Sequence, residues 1–156
     1  MSRPSDELRI SGYASLFGAV DLSGDIVHRG AFSASLLAQT GRKLPMLLGH
    51  ETERPIGVWD RVFEDASGLF VSGRIIGGEA RTDRARRLIE TGALSGLSIG
   101  FKTLRSIPNA KGRALIDLDL WEVSIVAFPM LRGARITQIG APSLITQTSP
   151  QQGVLT

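Results

Sequence analysis

Gly96-Leu97-Ser98-Ile99-Gly100-Phe101 sets one serine between two glycines inside an apolar run. The run spans Ala93 to Leu104, and it reads as a strand that carries Ser98 along its length. Immediately upstream, Glu79 to Thr91 reads as a helix. Ala85, Leu88 and Ile89 form a narrow apolar stripe, Asp83–Arg87 and Arg86–Glu90 are spaced as i,i+4 pairs, and Gly92 follows as a stop. The order is therefore helix, then a strand passing through the serine.

That order carries weight because Gly96-x-Ser98-x-Gly100 formally matches the nucleophile elbow G-x-S-x-G. An elbow needs a strand before its serine and a helix after it. Here the helix comes first, so the elbow reading is rejected. The remaining elements are mostly extended. Glu7 to Phe17, Ile26-Val27-His28, Lys43 to Leu48 and Ala114 to Phe128 read as extended, and Ala134 to Ile139 as a last short element. Ile56 to Glu64 and Leu69 to Ile76 form the clearest hairpin, turning at Asp65-Ala66-Ser67-Gly68. Gly30 to Leu37 reads as a short helix with Phe32, Leu36 and Leu37 on one face. Many short strands with one or two helices point to a mainly β (α+β) chain, a closed or partly closed barrel with a few packed helices.

Length and composition set limits. A chain of 156 residues suits one domain with a real core. The domain is expected over 1–140. Residues 141–156 are polar and uncharged, and are expected to form a flexible tail. With no cysteine, a disulfide scaffold, a thiolate zinc site and a cysteine nucleophile are excluded. The opening residues lack the apolar core of a signal peptide, and no apolar run approaches the ~20 residues of a membrane span, so no membrane partner is expected. The net charge of +3 is mild. Arg81, Arg84, Arg86 and Arg87 crowd one helix, but no aromatic interleaving accompanies them, so no specific nucleic-acid partner is expected.

Three residues stand out chemically. Ser98 is flanked by glycines, which serve either close packing or access for a substrate carbonyl. His50 ends the strand Pro45-Met46-Leu47-Leu48-Gly49-His50. Glu122 sits within the apolar run Leu120-Trp121-Glu122-Val123, where an unpaired carboxylate is costly. It serves either as an arginine's buried partner or as the group that orients an imidazole. A serine, a histidine and a carboxylate are the parts of an activated nucleophile. Ser95, His28, Asp117 and Asp119 remain open as alternatives. A zinc protease reading of His50-Glu51 fails because H-E-x-x-H requires a histidine where Arg54 stands. No metal or cofactor is expected.

Taken together, several segments resemble the prohead (capsid maturation) serine proteases of HK97-type tailed phages. They are Gly12-Tyr13-Ala14-Ser15-Leu16-Phe17-Gly18, Gly24-Asp25-Ile26-Val27, Gly30-Ala31-Phe32, Pro45 to His50, Pro55-Ile56-Gly57, Gly92 to Phe101, Leu120 to Val126 and Phe128-Pro129. Gene transfer agents, which are domesticated phage particles, carry similar proteases, and this short form suits one. The resemblance implies a herpesvirus-protease-like closed β-barrel and a serine endopeptidase. The family's nucleophile falls on Ser98 and its histidine on His50. The third position, a histidine in herpesvirus proteases, falls on Glu122. Met130, Leu131 and Arg132 fall on the loop whose backbone N–H groups face the oxyanion. The implied substrate is the scaffolding segment of the major capsid protein, and members of the family often cut themselves as well. The implied place is the procapsid in the bacterial cytoplasm, and a homo-oligomer there is left open. The competing reading is a non-catalytic head-assembly factor on the same fold that binds capsid protein.

Overall fold

The computed structural model describes residues 7–140, so the tail expected over 141–156 lies outside the described residues. Along the chain come β1 (Glu7–Leu16), β2 (Ile26–Val27), α1 (Ser33–Ala38), β3 (Leu44–Leu48), β4 (Gly57–Glu64) and β5 (Gly68–Ile76). They are followed by α2 (Ala80–Glu90), β6 (Gly96–Pro108), β7 (Arg113–Val126) and β8 (Ile136–Gly140). The β4–β5 turn is held by Asp65, whose Oδ1 accepts the Ser67 and Gly68 backbone N–H groups.

All the strands join one eight-stranded sheet in which β7 is the hub. One edge of β7 pairs antiparallel with β6 over most of its length. The other edge carries β2 and β3, both parallel to it. From β3 the sheet continues through β4, β5 and β1 to β8. Strand alternation sends Val123 and Ile125 of β7 into the core with Met46, Leu69, Val71 and Ile75, all fully buried. Trp59 fills the centre, and its indole N–H donates to the Val123 carbonyl at 3.1 Å.

The expected closed barrel is not formed. β8 is only five residues long and spends its pairing on Arg9–Gly12 of β1. Toward β6 there is a single bridge, Gly96–Arg135, with hydrogen bonds from Leu97 N–H to the Ala134 carbonyl and from Ile136 N–H to the Ser95 carbonyl. Beyond that point β6 has no strand on its outer edge among the described residues. The sheet curls round to near contact and stays open beside Ser98.

Two local expectations also change. Leu37 is 77% exposed, because the inward face of α1 carries Phe32, Ser35 and Leu36. Ser35 is useful there: its hydroxyl accepts the Leu120 N–H at 2.8 Å. On α2, Asp83 Oδ1 accepts the Gly78 N–H, and the Asp83–Arg87 ion pair is not formed. α2 instead anchors the loop after β3, where Arg81 donates to Glu51 Oε2 at 2.6 Å and to the Arg54 carbonyl at 2.9 Å.

Charge on the sheet surface is gathered at Asp60, which receives Lys43 at 2.6 Å and Arg74 Nε at 2.9 Å, with Arg9 at 3.9 Å. Burial works to raise the Asp60 pKa, but hydrogen bonds from Arg74 and Lys43 outweigh it and hold the carboxyl below the usual carboxylate range. Asp25 is likewise held low, chiefly by its bidentate hydrogen bonds from Arg113.

Candidate active site

Three neighbouring strands bring three polar groups to one place. Ser98 lies on β6, Glu122 on β7, and His50 just past the end of β3. In the β6–β7 register Ser98 faces Ser124 and Gly100 faces Glu122. Residues two apart on a strand share a face, so Ser98, Gly100, Glu122 and Ser124 all lie on one side of the sheet. β3 ends alongside Ile125, and the Gly49 N–H donates to the Ile125 carbonyl at 3.0 Å. Gly49 and His50 then adopt φ values of 59° and 64°. Among the described residues His50 is the only non-glycine with positive φ. This left-handed pair turns the imidazole back over the β6–β7 face.

The contacts form a chain. His50 Nε2 lies 3.2 Å from Ser98 Oγ. His50 Nδ1 lies 2.5 Å from Glu122 Oε2. The second carboxylate oxygen, Oε1, accepts a hydrogen bond from Ser124 Oγ at 2.7 Å. Glu122 is buried, whereas the His50 side chain is 44% exposed. With Nδ1–H donating to the carboxylate, Nε2 is the free acceptor turned toward the serine hydroxyl. The arrangement can take a proton from Ser98 Oγ and stabilise the resulting imidazolium.

The flanking glycines serve close packing. A Cβ on Gly100 would stand 2.1 Å from Glu122 Oε2, and one on Gly96 would stand 2.7 Å from Pro129 Cδ. Gly100 thereby leaves room for the carboxylate to lie across β6 toward His50. Access to Ser98 comes from elsewhere, through a cleft of about 270 Å³ walled by Leu16, Val27, Ile99, Phe101, Met130 and Leu131. The loop between β7 and β8 thus reaches the serine's side. The carbonyls of Met130, Leu131 and Arg132 accept hydrogen bonds from Leu22, Ala134 and Arg135. Their three N–H groups donate to no acceptor among the described residues.

The alternatives sit apart from this chain. Ser95 Oγ accepts from Arg135 at 2.9 Å. His28 is exposed, with its backbone N–H on the Leu115 carbonyl. Asp119 bonds Ser35 and the Trp121 indole, and Asp117 pairs in register with Arg105. Among the described residues Glu122 pairs with His50 and Ser124 and with no arginine, so the reading of an arginine-paired carboxylate is set aside. Ser124 had no signal beyond its place in the strand, two residues after Glu122. Among the described residues no group of three His, Cys, Asp or Glu side chains is placed to hold a metal ion, and no helix is long and apolar enough to cross a membrane.

Residues 1–146 match the sequence profile of the caudovirus prohead serine proteases. The chain belongs to that family. The prohead protease of Enterobacteria phage HK97 is 37% identical over 124 residues, which cover 76% of this chain and 54% of that protein. The capsid polyprotein of Pseudomonas phage PAJU2 is 31% identical over 110 residues, 65% of this chain and 16% of that protein. The chain therefore spans about half the length of the first relative and a small part of the second. Among solved structures, the bacteriophage T4 capsid assembly protease superimposes with a TM-score of 0.61 at 12% identity, covering 76% of this chain and 80% of that one. The KSHV protease in complex with a hexapeptide phosphonate inhibitor gives 0.60 at 18% identity, covering 92% of this chain and 70% of that one. The fold is thus herpesvirus-protease-like, with few helices around a β-sheet that does not close.

Proposed function

We propose that this chain is a serine endopeptidase that cleaves the scaffolding segment of the major capsid protein, and itself, inside the maturing procapsid. The observation that carries the reading is the unbroken line of contacts from Ser98 Oγ through His50 to Glu122. Ser98 Oγ attacks the peptide carbonyl, and His50 Nε2 takes the hydroxyl proton. Glu122 orients the imidazole and balances its charge. Backbone N–H groups of Met130 to Arg132 face the oxygen that becomes negative. His50 then returns the proton to the leaving amine, and water hydrolyses the acyl-enzyme by the same route reversed.

The open edge of β6 supports a peptide substrate. An extended segment can lie beside Ser98 as a further strand, held by main-chain hydrogen bonds. The names of the HK97 and T4 relatives support capsid protein as the partner, and a hexapeptide inhibitor on the KSHV protease supports a peptide-binding cleft.

Co-expression with the major capsid protein of the same genome, followed by mass analysis of the products, tests the reading. Wild type is expected to release the scaffolding segment, also in the presence of a chelator. Ser98→Ala should lose about 10⁶ in turnover with its melting temperature unchanged, since it removes one oxygen from a small site. Normal cleavage by Ser98→Ala together with loss in Ser95→Ala would move the nucleophile.

A further inference from the structure

We propose that Ser124 is a positioning residue for the reaction, a hydroxyl that holds His50 and Glu122 in register with each other. The inference rests on the protease reading above. Ser124 is fully buried, so it cannot reach a substrate. Its Oγ accepts the His50 backbone N–H at 2.9 Å and donates to Glu122 Oε1 at 2.7 Å. One oxygen therefore joins the main chain of the base to the carboxylate of the third member.

Each half of this link has a mechanical consequence. A hydroxyl has a single proton, and here it goes to Oε1, which leaves the lone pairs of Oγ for the His50 N–H. With Oε1 fixed, Oε2 meets Nδ1 in one orientation. The other half stabilises an unfavourable turn. Backbone in the left-handed region is costly for a residue with a side chain, and such residues persist only where surroundings over-determine them. β7 supplies that restraint twice, through the Ile125 carbonyl to the Gly49 N–H and through Ser124 to the His50 N–H. The second is the contact next to the imidazole itself. Removing it frees the ring to swing with the loop and leaves a buried carboxylate oxygen without its donor.

The test uses the full chain, with Ser124→Ala and Ser124→Thr. Four quantities are measured: kcat and KM for capsid-protein cleavage, the rate at which a fluorophosphonate probe labels Ser98, the melting temperature, and the low-field proton NMR resonance of His50 Nδ1–H. Ser124→Ala should lower kcat and labelling about 10²-fold, as expected when reacting groups are slightly misplaced, with KM little changed. Its Nδ1–H resonance should move upfield or broaden. Ser124→Thr, which keeps the hydroxyl, should recover most of both. A folded Ser124→Ala protein with wild-type labelling and an unmoved resonance would overturn the inference and leave Ser124 a packing residue. Should Ser124→Ala fail to fold, Ser124→Cys, with its weaker donor, takes its place in the comparison. If wild type itself fails to label at Ser98, the protease reading falls, and the Nδ1–H resonance still decides whether Ser124 sets the His50–Glu122 contact.

Discussion

Asp60 and Glu122 are both acidic residues on strands of one sheet, and their surroundings are opposite. Asp60 meets two or more permanent cations, with its side chain 18% exposed. Glu122 is more deeply buried and meets no permanent cation among the described residues. Its partners are an imidazole and a hydroxyl. A carboxylate set among arginine and lysine is satisfied whatever else happens, so Asp60 serves the fold. Among the described residues the only cation available to Glu122 is His50, once that ring has accepted a proton. On the proposed mechanism its strongest interaction is therefore switched on by the proton transfer that activates Ser98. This contrast separates a structural ion pair from the carboxylate to which the proposed mechanism gives a role, which neither residue's burial alone would do.

The largest test of the contrast is Glu122→Gln, which preserves size and one acceptor but removes the charge. In serine enzymes with an aspartate at this point the equivalent change costs about 10⁴ in turnover, and the burial of Glu122 argues for a loss of that order. Wild-type turnover in a folded Glu122→Gln protein would erase the distinction from Asp60. Gly100→Ala comes next. Its Cβ must displace the Glu122 carboxylate, so turnover measured under saturating substrate should fall about 10²-fold. Its counterpart is Gly57→Ala in β4, whose Cβ would press on the Arg74 carbonyl. That change should appear in the melting curve, while cleavage by the folded fraction is retained. The smallest effect belongs to Asp60→Asn, at about 1–3 kcal/mol of stability with turnover unchanged near neutral pH. Because Asp60 and Asp25 have folded pKa values below their unfolded ones, their contribution is complete above the ordinary carboxylate range. It is lost as pH falls through the lower folded values. Thermal melts on acidification should accordingly fall more steeply for wild type than for Asp60→Asn.

Much of this was legible in residue order. A serine between glycines in a strand, a carboxylate breaking an apolar run at Glu122, and a histidine at a strand's end name the groups that the sheet assembles. Other features were hidden because they depend on contacts distant in the chain. Closure of a barrel turns on how many residues β8 commits to β1, and no local pattern reports that. The glycines beside Ser98 look alike on paper, yet Pro129 covers one and Glu122 the other. Leu37 turns outward because a serine, Ser35, occupies the inward position on α1 and satisfies a strand N–H. Ser124 is hidden in the sequence for a similar reason. A buried hydroxyl acquires meaning only when its two partners, one of them a backbone N–H 74 residues away, are known.

On the proposed mechanism, the left-handed conformation of His50 sets stability and chemistry against each other at one position. A side chain with a Cβ in that region carries a cost on the order of 1 kcal/mol, which glycine would escape and asparagine would lessen. Selection for heat resistance alone would therefore drift away from histidine here, and selection for cleavage would hold it in place. A histidine standing where the backbone would favour glycine is what the proposed base requires and what folding alone does not.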